Sequence, residues 1–137
     1  MLSRPVLLKK VRKTHIEEPE EIVNALCDAL SISGRSEAES ATLRKIAEST
    51  AAGKGLTSKA LSKELKIPRS TVIYRLNYFI NAGLVIRRGR QYFMRGASLE
   101  ETLEELQAET LAEFNRLMKL ASKFDEMMES EIYGRRE

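Results

Sequence analysis

Positively charged residues are concentrated in the middle third of the chain. Residues 54–97 carry ten lysines and arginines against one acid, Glu64, whereas residues 1–53 carry eight bases and eight acids. Residues 98–137 carry five bases and eleven acids, so the three local net charges are +9, 0 and −6. A concentrated positive field attracts polyanions, which an evenly mixed surface does not. The charge pattern therefore favours nucleic-acid binding by the middle third.

The residue sets that carry catalysis or hold metals are missing from the sequence. One cysteine, Cys27, and one histidine, His15, cannot form an internal disulfide or a local structural zinc site. No glycine-rich phosphate loop, nucleophile–base set or pair of carboxylates in an apolar setting is present. We predict a protein that is not an enzyme and needs no cofactor, with Cys27 buried as a small hydrophobe and His15 on the surface.

Length and composition fit one domain of ordinary size. The chain has 137 residues and is 42% hydrophobic, enough for a core. No apolar run approaches the ~20 residues of a membrane helix, and Lys9 and Lys10 interrupt the apolar start at Pro5–Leu8. We expect a soluble, cytoplasmic protein.

The charged middle third follows a basic arm and two predicted helices. Residues 1–18 read as the arm, although a mobile terminus is an equal alternative. Helical spacing from Pro19 onward predicts a first helix, and Ser36 with Glu39 predicts a capping box at the start of a second. The arm and these helices precede residues 56–94, whose hydrophobic and turn pattern is the most informative in the chain.

Two short helices and a hairpin are predicted to position the lysines and arginines of residues 54–97. Thr57 suits the start of one helix, and Pro68 separates it from a second helix over residues 69–81. After Gly83 the period of the hydrophobic pattern changes from 3.6 to two residues, which predicts two strands around a turn at Arg88–Gly89. The expected architecture is mainly α with a small β-hairpin.

A long acidic helix is predicted to end the chain. Ser98 with Glu101 makes a capping box, and no glycine or proline interrupts the sequence from there to about Tyr133. Its apolar stripe contains a stutter at Thr110–Phe114 and is too long for one small domain to cover. A homodimer seam and packing against the first helix both remain open for this stripe. The predicted dimer residues are Leu103, Leu106, Phe114, Leu117, Ala121, Phe124 and Met128.

The order of these elements resembles winged helix-turn-helix transcription regulators of the ArsR/MarR type, especially the small archaeal members. The resemblance covers residues 39–97 and is carried by Leu-Thr-Ser-Lys-Ala-Leu-Ser-Lys-Glu-Leu, Pro-Arg-Ser-Thr-Val and Gly-Leu-Val. Lys66 stands where glycine often supplies the turn, which implies strain of about 1 kcal/mol if its φ is positive. The cysteine-rich motif of the metal-sensing members is absent. The resemblance implies a winged helix-turn-helix over residues 19–97 and a dimerisation helix over residues 98–137.

Sequence-specific binding of double-stranded DNA and regulation of transcription by a homodimer is the leading hypothesis. Helix 69–81 is expected in the major groove, with the arginine-rich wing on the backbone or minor groove. The alternatives are an adaptor that binds proteins of the transcription machinery and a protein that coats DNA without sequence preference. The predicted DNA-binding residues are Lys59, Lys63, Arg69, Ser70, Thr71, Tyr74, Arg75, Tyr78, Arg87, Arg88 and Arg90.

Overall fold

A computed structural model describes Leu8, residues 17–30 and residues 37–134 of the chain. The arm with His15 therefore lies almost wholly outside the described residues, and Ser36 lies outside them too. Within these ranges there are five helices and three strands. In chain order they are α1 (Pro19–Ala29), α2 (Glu37–Ala51), β1 (Leu56–Thr57), α3 (Ser58–Leu65), α4 (Arg69–Asn81), β2 (Val85–Arg88), β3 (Gln91–Met94) and α5 (Leu99–Gly134).

The molecule is mainly helical with one small antiparallel sheet and a long C-terminal helix, as predicted at this level. The sheet has the order β1-β3-β2, and Val85 pairs with Met94 in the hairpin. Strand β1 was not predicted, because its two residues pair with β3 far along the chain, Leu56 with Tyr92. A two-residue strand is too short for an alternating pattern to reveal it.

The core lies between the helices and the inner face of the hairpin. Its members are almost all aliphatic: Val23, Cys27, Leu30, Leu43, Ile46, Leu61, Val72, Leu76, Phe79, Leu84, Val85, Tyr92, Met94 and Leu106. Cys27 is 4% exposed, which confirms the prediction that it is buried. Burial raises the pKa of its thiol, while the side-chain hydrogen bond with Ser40 acts in the opposite direction.

The pair α3–α4 is held by its own capping and turn residues. The amide of Ala60 donates to the Thr57 hydroxyl over 3.1 Å, which confirms Thr57 as the cap of α3. Lys66 ends α3 with φ 55° and ψ 44°, in the left-handed region where an L side chain is strained. The amide of Ile67 donates to the Ser62 carbonyl over 3.2 Å, and the Ser62 hydroxyl donates to the Ile67 carbonyl over 2.6 Å. These bonds fix the short connection to α4.

The hairpin turns one residue later than predicted. Its two-residue loop is Gly89–Arg90, closed by the pairing of Arg88 with Gln91. Gly89 has φ 63° at the first position of the loop, the geometry of a type II′ turn, whose twist matches that of the flanking strands. The shift leaves Arg88 at the end of β2 and Arg90 in the loop.

Helix α5 is docked on the end of β3 through its first three turns. The Ser98 hydroxyl accepts the amide of Glu101 over 3.1 Å, which confirms the predicted cap. Arg95, just after β3, pairs with Glu105 over 3.2 Å and with Glu109 of α5. These contacts fix the direction in which the helix leaves the domain.

Beyond residue 110 the helix leaves the domain. Every residue from 111 to 134 is exposed except Glu113 and Met128, which are half-buried. At 1.5 Å per residue this part is about 36 Å long. None of the described helices, α5 included, combines the length and the apolar character that crossing a membrane requires.

Candidate nucleic-acid interface

One face of α4 is open to solvent and polar. Its opposite face carries Val72, Leu76 and Phe79, each at most 1% exposed. The exposed residues recur at helical spacing and include no acid: Arg69, Ser70, Ile73, Tyr74, Asn77 and Asn81. Tyr74 has 72% of its surface exposed. This face can present hydroxyl, amide and aromatic groups to a ligand.

The N-terminus of α4 faces solvent without a side-chain cap. The residue before the helix is Pro68, and no side chain accepts the N–H groups of the first turn. Those groups carry the positive end of the helix dipole. Arg69 stands beside them, with its Nε donating to the Ser58 hydroxyl over 3.1 Å. This helix end can bind an anion such as a phosphate.

Three residues expected on the exposed face of α4, Thr71, Arg75 and Tyr78, are half-buried at its border with the core. Tyr78 is half-buried, packs against the core and meets Phe79 edge-on at 6.3 Å between ring centroids. Arg75 is half-buried, and its Nη1 is buried without a hydrogen-bond partner in the described part of the chain. At 100° per residue Arg75 lies only about 60° from Val72, which explains why it turns inward.

The Arg75 guanidinium acts on Glu39 of α2. Burial raises the pKa of the Glu39 carboxyl, and the charge of Arg75 partly offsets this effect. Arg75 therefore lies at the edge of the exposed α4 face, half-buried, and its role in DNA binding stays a prediction.

The hairpin arginines lie over aromatic rings. The guanidinium carbon of Arg87 is 5.7 Å from the Tyr92 ring centroid, and that of Arg88 is 5.8 Å from the Phe93 centroid. The Nε of Arg87 also donates to the Gly89 carbonyl over 2.7 Å, whereas Arg90 occupies the loop. These contacts orient two cations without neutralising them.

Most bases of residues 54–97 are exposed and have no carboxylate within ion-pair distance among the described residues. Of the ten, Arg95 pairs with α5 and Arg75 faces Glu39. The other eight are exposed: Lys54, Lys59, Lys63, Lys66, Arg69, Arg87, Arg88 and Arg90. Their charge is available to a polyanion.

Sequence reasoning missed three residues of the α4 face: Ile73, Asn77 and Asn81. They share that face with Ser70 and Tyr74 at steps of three and four residues, a signal that was present in the sequence. Asparagine can bond the adenine edge in two places, and an apolar side chain can contact the thymine methyl group. Of the predicted residues, Ser70 and Tyr74 are exposed and Thr71 is half-buried.

The predicted dimer residues divide into two groups. Leu106 is 3% exposed and belongs to the core of its own chain, so its assignment to a dimer seam was wrong. Leu103 is half-buried beside that core. Phe114, Leu117, Ala121 and Phe124 are exposed, and Met128 is half-buried.

The part of the chain that the structure describes holds no cluster of three or more His, Cys, Asp or Glu residues able to bind a metal ion. No family model, no curated protein and no solved structure matches the chain.

Proposed function

We propose that this chain is a winged helix-turn-helix protein that binds double-stranded DNA sequence-specifically as a homodimer and regulates transcription. In this proposal α3 and α4 are the helix-turn-helix, α4 is the recognition helix and the β2–β3 hairpin is the wing. The major groove of DNA is wide enough to hold one α-helix. Residues on the exposed face of that helix can then form hydrogen bonds with the edges of the bases.

One observation carries the proposal. Eight exposed lysines and arginines, with no carboxylate within ion-pair distance among the described residues, flank α4 in the sequence, and the exposed face of α4 is free of acids. Neutralising phosphates with such bases releases counterions, which is the main source of affinity for DNA. Like charges repel one another in the unbound protein, so a polyanion stabilises the arrangement.

The roles follow from chemistry and position. The N-terminus of α4 with Arg69, Lys59 and Lys63 on α3, and the wing residues Arg88 and Arg90 suit phosphates. Tyr74 and Asn77 suit base edges and the adjoining backbone, because they lie at the centre of the exposed α4 face. A two-fold dimer would read a palindrome with half-sites about 34 Å apart, or a multiple of that distance.

Fluorescence anisotropy with a mixed-sequence duplex at several salt concentrations tests DNA binding directly. We expect the logarithm of the binding constant to fall by several units per unit of log salt concentration. A panel of duplexes would then reveal the preferred sequence. Binding of equal strength to all of them would favour a DNA-coating protein instead.

A second candidate function is that of an adaptor in the transcription machinery. The exposed apolar half of α5 favours it, since such surfaces commonly bind proteins. Absence of DNA binding even at low salt would overturn the first proposal and leave the adaptor as the better one.

A further inference from the structure

An apolar groove runs between α1 and the docked part of α5. Leu26 and Leu30 form one wall, and Leu99, Leu103 and Phe114 form the other. Along α5 the groove extends from Leu99 to Phe114, 16 residues or 15 steps of 1.5 Å, about 22 Å. Phe114 is 59% exposed at the distal mouth of the groove, where the helix leaves the domain.

The groove continues into an uncovered stripe on the same side of α5. At 100° per residue, all members of the stripe fall within a sector of about 80°. From the groove outward they are Leu103, Thr110, Phe114, Leu117, Ala121, Phe124 and Met128. Leu111 and Met118 on one side of this sector and Leu120 and Met127 on the other, at 54–64% exposure, widen the apolar surface.

The exposed surface is large enough for a stable dimer. Eight large apolar side chains between Leu111 and Ile132, on the stripe and its two flanks, are 54–64% exposed. At roughly 100 Å² each they present about 800 Å², compared with a few hundred for the usual apolar patch of a monomer. A standard interface buries about 800 Å² on each partner.

Six of the seven stripe residues have palindromic spacing: Leu103, Thr110, Phe114, Leu117, Ala121 and Met128 are separated by 7, 4, 3, 4 and 7 residues. The seventh, Phe124, falls opposite Gln107. Such a stripe is self-complementary under a two-fold axis that crosses the helix between Phe114 and Leu117, as a closed symmetric dimer requires. That axis places Phe114 opposite Leu117 of the second copy and Thr110 opposite its Ala121.

We propose that two copies of the chain pair antiparallel through α5, and that residues 117–132 of each copy lie in the α1–α5 groove of the other. The two segments match in length, since residues 117–132 span the same 15 steps as Leu99–Phe114. Phe124 of one copy then falls within one residue of Leu106 at the floor of the other copy's groove. The inference rests on the homodimer of the proposed function and is independent of DNA binding.

A parallel pair fits the surface less well. It would place the exposed half of α5 beside the same half of α5 in the other copy. Neither groove would then receive a helix from the other copy. The groove and the stripe are one continuous apolar surface through Phe114, so only the antiparallel arrangement covers all of it.

Disulfide cross-linking of the full chain tests the register. The double variant Thr110→Cys/Ala121→Cys should form a covalent dimer on mild oxidation, because each new cysteine faces the other one across the axis. Either single variant should remain uncross-linked, since identical residues are then 11 positions, or about 16 Å, apart along the helix. The wild-type chain, whose Cys27 is buried, provides the background.

Each outcome of this test decides the proposal. Cross-linking of the double variant but of neither single variant supports it. Cross-linking of Ala121→Cys alone would show a parallel pair, and a chain that sediments as a monomer would exclude any self-association; both overturn it. The cross-linking experiment contains no DNA, so its results do not test the DNA-binding proposal. The salt titration tests that proposal separately.

Discussion

The Gly96 amide donates a hydrogen bond of 2.8 Å to the Thr102 hydroxyl, which in turn donates to the Ser98 carbonyl over 2.8 Å. Thr102 is fully buried, so this relay lies inside the joint between β3 and α5. A Cβ on Gly96 would approach the Thr102 nitrogen at 2.7 Å and the Glu101 carbonyl carbon at 2.8 Å. The joint therefore depends on glycine for close approach of the two backbones.

Gly96→Ala should lower the free energy of unfolding by about 2 kcal/mol, because the clash is with backbone atoms that cannot move separately. Urea denaturation measures the loss. Gly134→Ala is the matched control, since nothing lies within 4 Å of its Cβ position. Equal stability of the two variants would contradict the close-approach argument.

Lys66→Gly should raise the free energy of unfolding by about 0.5–1 kcal/mol, since glycine adopts φ 55° without the strain of an L side chain. Lys63→Gly, three residues earlier within α3, should lower it by a similar amount. Thermal denaturation of both variants would reveal the opposite signs. A loss of stability in Lys66→Gly would show that the left-handed residue is not strained.

Asn77→Ala should reduce discrimination at one base pair by about 1–3 kcal/mol, because it removes a side chain able to read a base edge. Arg88→Ala should weaken binding to all sequences alike and reduce the salt slope by about one. Anisotropy titrations with single-base operator variants separate the two effects. Uniform weakening in both variants would contradict the division of roles on the proposed interface.

Glu39→Gln should become more stable relative to the wild type as pH rises above the unfolded-state pKa of a glutamate, about 4.3. Burial raises the pKa of Glu39, with the Arg75 charge opposing it, so the folded chain holds the proton more tightly than the unfolded chain. Wild-type stability from this group is therefore present below the unfolded pKa, near 4.3, and is lost as pH rises through the folded pKa.

Urea denaturation at several pH values measures this difference between Glu39→Gln and the wild type. A stability gap that does not change with pH would show that Glu39 has the same pKa in both states. The variant keeps the size of the side chain, so packing changes contribute equally at every pH.

Leu117→Glu should convert the dimer into a monomer, because it places a charge at the centre of the proposed seam. Leu117 is 57% exposed within the chain, so the fold itself should keep its helical circular dichroism. Lys119→Glu, on the opposite side of α5, is the control and should stay dimeric. Sedimentation equilibrium distinguishes these outcomes, and a dimeric Leu117→Glu would contradict the seam.

Local signals predicted the helices well and long-range pairing poorly. Proline and glycine punctuation predicted α4 over residues 69–81, and the structure gives Arg69–Asn81. Strand β1 depends on Leu56 meeting Tyr92, which no local pattern encodes. The hairpin was predicted with its turn displaced by one residue, because the sequence does not specify which residue pairs close the loop.

The candidate site was predictable where periodicity alone decides exposure. The exposure of Ser70, Tyr74 and Asn77 follows from the angle that separates each of them from Val72 around the helix. The half-burial of Arg75 follows from the same angles. The burial of Leu106 could be predicted only with the knowledge that the first part of α5 packs on its own domain. That docking depends on Arg95, Gly96 and Thr102, whose partners lie in another element.

The projecting part of α5 is also a lever arm. Helix α5 extends for 36 residues, or about 54 Å, from the joint at Arg95 and Gly96, so a rotation of about 5° at the joint moves its far end by roughly 5 Å. The same joint is continuous with β3, whose other end carries the hairpin loop. A load on the far end of α5 therefore acts on the joint that β3 connects to the hairpin loop.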